Sequence, residues 1–326
     1  MTSVAHITLR LGFACGGLFA LAACSGSGAP SSASASAATT PKAVTAAAMP
    51  PAAASANKPS PFRPPPDSAI PDNAFGAMVR KGEAIFNDTQ HHAAAYVGNG
   101  LNCTNCHING GRQANSAPLW AAWVNYPAYR KKNGHVNSYG ERIQGCFKYS
   151  MNGKPPPLDS EVMVALESYS FWLATGAPTG TSLPGRGYPK KGFKPPQPPD
   201  YARGEKVFTS HCALCHGANG QGQRVAGTVV FPALWGSQSF NWGAGMHKLD
   251  NAAAFIKYNM PLGRAGTLSD QDAWDVAMYM DAHERPQDPR YTGNLAETRK
   301  KFHDSSMSLY GTRVNGKLLG EHPAQP

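Results

Sequence analysis

Apolar residues recur at helical spacing in two stretches of the chain, "LDSEVMVALESYSFWLATG" (158–176) and "LSDQDAWDVAMYMDAH" (268–283). Each opens with Asp or Ser, whose side-chain oxygens accept from the free N–H groups of a first helical turn. Both are expected to be helices. Upstream of each lies a matching short segment, "KGEAIF" (81–86) and "RGEKVF" (203–208), and between them "KYSM" (148–151) matches "KYNM" (257–260). The order helix, turn, loop and closing helix therefore occurs twice, an internal repeat that implies two small domains. A further segment, "NSYGERIQGCFKYSMNG" (137–153), is helix-compatible from Tyr139 onward. On a helix, Arg142, Cys146 and Ser150 fall at i, i+4 and i+8, nearly one stripe.

The seven cysteines change this picture most. Cys103 and Cys106 stand in "CTNCH" and Cys212 and Cys215 in "CALCH", two copies of Cys-x-x-Cys-His, the attachment signature of c-type haem. Two thioether bonds need thiols two residues apart, and the next residue places an imidazole under the iron, so His107 and His216 are read as proximal ligands. A redox dithiol or half a zinc site needs no such His. The fold class expected is mainly α, two class I cytochrome c-like domains in tandem holding two covalently bound haem c groups. They span 71–178 and 201–290, with a Gly- and Pro-dense linker over 179–200. A haem supplies much of the core of so small a domain, so sheet content should be low.

Cys15 and Cys24 belong to the N-terminus. "LGFACGGLFALAA" (11–23) has the length of a signal-peptide apolar region and is too short to span a bilayer. It runs into "LAAC" (21–24), which resembles a lipoprotein cleavage box. Residues 1–23 are read as a signal peptide and Cys24 as a lipidated first residue, giving a membrane anchor on the periplasmic side of a bacterial envelope, with ordinary secretion after an Ala-x-Ala-like site as the competing reading; the neutral Ser25 favours the outer membrane. Residues 24–70, rich in Ser, Ala and Pro, cannot bury a core and read as a disordered tether. Residues 291–326 form a C-terminal extension, expected to pack at its start and fray at its end.

One cysteine is left over. His216 to Met260 and His107 to Met151 are both 44 residues apart, so symmetry offers Met260 and Met151 as distal ligands and leaves Cys146 a buried bystander. Against that reading, an unpaired thiol in an exported protein stands out. The second half carries Phe255 where the first carries Cys146, and the guanidinium of Arg142 four residues away favours the thiolate.

The stretch 100–156, with "SAPLWAAW", "YPAYR" and "ERIQGCF" followed by "YSMNG", resembles the dihaem thiosulfate dehydrogenases that form tetrathionate, and the resemblance runs over residues 70–290. It implies that Cys146, not Met151, is the distal ligand of the first haem, with substrate beside it, and that Met260 serves the second. Lys257 is a remote alternative there, and Asn259 stands where some relatives carry a competing lysine. Thiolate lowers a haem potential and methionine raises it, so unequal ligation sets a downhill path. The mechanism expected is that the Cys146 sulfur leaves the iron and forms an S-thiosulfonate with one thiosulfate, which a second thiosulfate attacks.

Two dianions must meet, so the site should be basic. Arg142 and Arg112 are the first candidates, then Arg130, Lys148 and Lys154, with Ser150 as a hydroxyl donor. The formal net charge of +10 fits an anion-attracting surface, but its scatter gives no sign of nucleic-acid binding. A soluble acceptor such as a cytochrome c is the expected electron partner. The competing readings are tetrathionate reduction and a tethered dihaem shuttle with methionine at both irons. His91 and His92 are read as surface residues, and the remaining histidines outside the haem motifs show no metal-ligand pairing.

Overall fold

The computed structural model describes residues 60–325. The signal segment, Cys24 and most of the tether lie outside the described residues. Among the described residues no helix is long and apolar enough to cross a membrane.

Both repeated segments lie in helices, Ala74–Asn87 and Tyr201–His211, and both closing stretches form helices, Glu161–Leu173 and Asp270–Asp281. Each starts on a side chain that takes an otherwise unpaired N–H: Asn73, Asp200, Ser160 and Ser269 are the caps. In each half the first helix crosses the closing one at a shared glycine. A Cβ on Gly82 would lie 2.0 Å from Ala165 O, and one on Gly204 2.0 Å from Asp275 O. The repeated "GE" thus has a packing cause, because only glycine lets the two backbones approach so closely. Val79, Met163 and Tyr169 are buried on the first pair of helices, and Phe208, Ala273 and Ala277 on the second.

Among the described residues, strands are confined to three two-stranded antiparallel hairpins: Ala128–Arg130 with His135–Asn137, Gln223–Val225 with Thr228–Phe231, and Arg313–Val314 with Lys317–Leu318. The Gly/Pro-dense connection lies along both halves. Asn115 and Ala117 donate to the carbonyls of Gly185 and Gly187, while Tyr188 packs edge-on against Phe255.

The C-terminal extension departs from expectation. After the helix Leu295–Phe302 it stays packed as far as Gly320, with Tyr310 and Leu319 fully buried and Gly320 N–H donating to Glu284 Oε1 (2.8 Å); beyond it Glu321, His322 and Gln325 are exposed, while Ala324 N–H still donates to Arg285 O (3.2 Å). Large apolar side chains hold it down, and these few anchors are enough to override its polar composition.

Candidate functional site

Cys103, Cys106 and His107 line a cavity together with Arg142, Cys146, Ser150 and Met151. Thr89, fully buried, accepts from Cys103 N–H (3.1 Å) and fixes the start of the first motif. His107 Nδ1 faces the carbonyl of Ala117 at 2.7 Å, so it must donate, leaving Nε2 with its lone pair for a metal. His216 repeats the arrangement, its Nδ1 donating to Pro232 O at 2.9 Å. Burial pushes the thiols of Cys103 and Cys106 up to about 12 and that of Cys212 up to about 11. A redox dithiol works through a lowered thiol pKa, the opposite of the direction at these three cysteines. The donor set, with the apolar Phe86, Leu101, Leu119, Ile143 and Phe147 lining the same space, fits haem.

The distal segment begins as the expected helix. Tyr139–Gly145 is α-helical, capped by Ser138, which accepts from Glu141 N–H while Glu141 reaches back to Ser138 N–H. At Cys146 it widens into a π-helical turn, Cys146–Ser150. The uniform α stripe read from sequence is therefore corrected over its second half, a change that a local window does not encode because the carbonyls it frees are satisfied from outside the segment. The first step of the stripe survives: Arg142 Nη1 donates to Cys146 Sγ at 2.8 Å. Electrostatic attraction to Cys146, opposed by burial, raises the guanidinium pKa.

Of the other candidates, Ser150 and Met151 reach the cavity. Arg112 does not: its guanidinium donates to Pro65 O (2.7 Å), pairs with Asp67 and packs over Trp172. Arg130 and Lys154 are exposed, and Lys148 turns toward the Tyr149 ring. Met260 ends the helix Leu249–Asn259, half-buried. Lys257 is engaged elsewhere, donating to Leu268 O (2.5 Å) and pairing with Asp270 (3.0 Å). Asn259 is buried and joins the two halves through Gln113 (2.8 Å) and Asn115 O (3.1 Å).

Three residues escaped the sequence reading. Lys132, at the tip of the first hairpin, lies 3.4 Å from the centre of the Tyr149 ring and donates to Gly243 O; the "NG" turn beside it was the available signal. Asn99 and Asn241 bind the distal turn from afar and carry no local signal. His91 is a surface residue paired with Asp88. His247 and His303, by contrast, meet in the interior at 3.2 Å, and His303 Nε2 also bonds Asp288 (2.9 Å). Among the described residues no group of three or more His, Cys, Asp or Glu side chains could hold a metal ion.

Residues 199–280 match the family described as cytochrome c oxidase, cbb3-type, subunit III. The chain is 62% identical over 260 residues to a thiosulfate dehydrogenase of Thiomonas intermedia (strain K12), covering 80% of this chain and 82% of the relative. To a thiosulfate dehydrogenase of Stutzerimonas stutzeri (strain A1501) it is 59% identical over 265 residues, covering 80% and 85%. Among solved structures, the thiosulfate dehydrogenase TsdBA from Marichromatium purpuratum in its as-isolated form superposes with a TM-score of 0.78 at 51% identity. That alignment covers 81% of this chain and spans 59% of the other.

Proposed function

The chain belongs to the thiosulfate dehydrogenase family of c-type cytochromes, and from that premise we propose that it joins two thiosulfate ions into tetrathionate at Cys146. The balance is 2 S2O3(2-) to S4O6(2-) plus two electrons. The observation that carries the proposal is the contact of Arg142 with the Cys146 sulfur inside the cavity shared with the first Cys-x-x-Cys-His motif.

The residues that would hold haem are Cys103, Cys106 and His107 with Cys146 at the first site, and Cys212, Cys215 and His216 with Met260 at the second. Bound there, the two haems supply acceptors for the two electrons. The Cys146 thiolate is the sulfur nucleophile. Joining it to the terminal sulfur of one thiosulfate, with loss of two electrons, gives a Cys–S–S–SO3(-) adduct; attack by a second thiosulfate on the outer sulfur releases tetrathionate and restores the thiolate. Arg142 donates to the Cys146 sulfur and offers its remaining N–H groups to a sulfonate, and Ser150 adds a hydroxyl donor. The reverse sequence, tetrathionate reduction, uses the same groups. A soluble cytochrome c is the acceptor we assign. The tether and a lipid at Cys24, on the periplasmic side, belong to the proposal on the sequence pattern alone, and the intact mass of the mature chain checks them.

Met151 lines the same cavity and supports the second reading, a shuttle with His/Met ligation at both haems. Cys146→Gly decides between them. It is expected to retain two covalent haems, lose the His/thiolate low-spin signal in ferric EPR and lose turnover in both directions. Wild-type turnover in this variant sinks the proposal.

A further inference from the structure

A helix that ends inside a protein leaves its last carbonyls without partners in its own turn. The distal turn satisfies two of its own, since Met151 N–H donates to Cys146 O (3.0 Å) and Gly153 N–H to Phe147 O (2.9 Å). The next three carbonyls are taken by distant parts of the chain. Asn241, fully buried, donates from Nδ2 to Lys148 O (3.0 Å) and from its main chain to Tyr149 O (3.2 Å). Asn99 donates from Nδ2 to Ser150 O (2.8 Å) and to Ser239 O (3.0 Å).

The orientation of Asn241 is fixed on every side. Its Nδ2 also reaches Asn152 Oδ1 (2.9 Å), and its Oδ1 accepts from Gly243 N–H (3.0 Å). The amide therefore cannot flip without setting acceptor against acceptor. Gly243 completes the grip. A Cβ there would come within 2.5 Å of Tyr149 Cδ1 and 3.0 Å of Asp288 Oδ1, so the loop approaches the turn only because it carries no side chain.

This grip bears on which sulfur serves the site. Cys146 and Met151 stand at the two ends of one turn, linked by one hydrogen bond, and both line the cavity that His107 lines. We infer that Asn241, which follows the second haem motif in sequence, is a positioning residue that selects the ligand beside the first: by holding the carbonyls of Lys148 and Tyr149 it keeps Cys146 at the iron site and Met151 away from it. The inference rests on the reading of Cys146 as ligand given above.

The test uses the holoprotein and its Asn241→Ala and Gly243→Ala variants. The first removes a donor and the second pushes on Tyr149 with every donor kept, so one reports if the other fails to fold. Both are expected to keep two covalent haems, to lose part of the His/thiolate EPR signal, and to gain methionine sulfur-to-iron charge-transfer absorption beyond that of the second haem. Turnover should fall by about a hundredfold, the scale of a displaced reacting group. Adding Met151→Leu to Asn241→Ala should remove the extra methionine signal without restoring turnover. A wild-type His/thiolate signal that survives both single substitutions in full, at unchanged rate, overturns this inference alone. A wild-type spectrum that lacks the signal overturns the reading of the site and this inference with it.

Discussion

Arg142 carries its charge four residues before the sulfur it contacts, a spacing that any helix converts into contact. A charge-assisted hydrogen bond of this kind contributes about 1.5–3 kcal/mol. Arg142→Ala is therefore expected to lower kcat/KM for thiosulfate by roughly ten- to a hundredfold. Arg142→Lys should recover part of the loss, because it restores the charge without the planar fork. Arg112 gives the opposite expectation. Its guanidinium is held by Pro65 O and Asp67, away from the cavity, so Arg112→Ala should cost about 1 kcal/mol of stability and leave KM unchanged. Steady-state kinetics with a denaturant titration separates the two, and a raised KM in Arg112→Ala would return that residue to the substrate site. Spacing in the sequence already set Arg142 beside Cys146; only the fold shows that Arg112 faces Asp67 instead of the cavity.

The repeat is legible at the scale of elements because its conserved spacing has a mechanical cause in the helix crossings at Gly82 and Gly204. Gly82→Ala would press a methyl group into the Ala165 carbonyl and force the helices apart. Overpacking of this sort costs typically 1–3 kcal/mol, and a lowered Tm with haem content unchanged is the expected result. A Tm equal to wild type would show that the crossing yields freely. The distal segment is where the two halves diverge. In the second half the helix ends at Asn259 and leaves Met260 as its first extended residue, whereas in the first the helix widens at Cys146. Symmetry between "KYSM" and "KYNM" therefore holds in letters and fails in backbone.

Across the whole molecule, the C-terminal extension binds to the core through a buried cluster. His303 Nε2 donates to Asp288 and its Nδ1 lies 3.2 Å from His247 Nε2, Arg290 donates to Asp288, and Arg290 also lies over the Tyr149 ring. Burial lowers the pKa of both His247 and His303, the latter against the pull of Asp288. Burial raises Asp288, but the hydrogen bonds from His303 and Arg290 outweigh it and hold the carboxyl well below the usual range. For all three groups the unfolded chain takes up the proton first. Their stabilisation is thus complete above the unfolded histidine value of about 6.5, declines as pH falls below it, and declines again below about 4 as Asp288 loses its advantage. The urea midpoint of the holoprotein should follow that course, and His303→Gln should flatten its upper part; a midpoint constant from pH 7 to 5 would show that the cluster does not control the extension.

What the sequence determined by itself is whatever chemistry writes into short spacing: the two Cys-x-x-Cys-His motifs, the i, i+4 pairing of Arg142 with Cys146, and the capped helices. These depend on neighbours within a turn or two. What only the tertiary structure decided is which candidates meet across long separations. Asn241 reaches Lys148 O across 93 residues, His303 reaches His247 across 56, and Arg112 turns to Asp67 across 45. Buried carbonyls and charges must find partners wherever packing supplies them, and no local window records that choice.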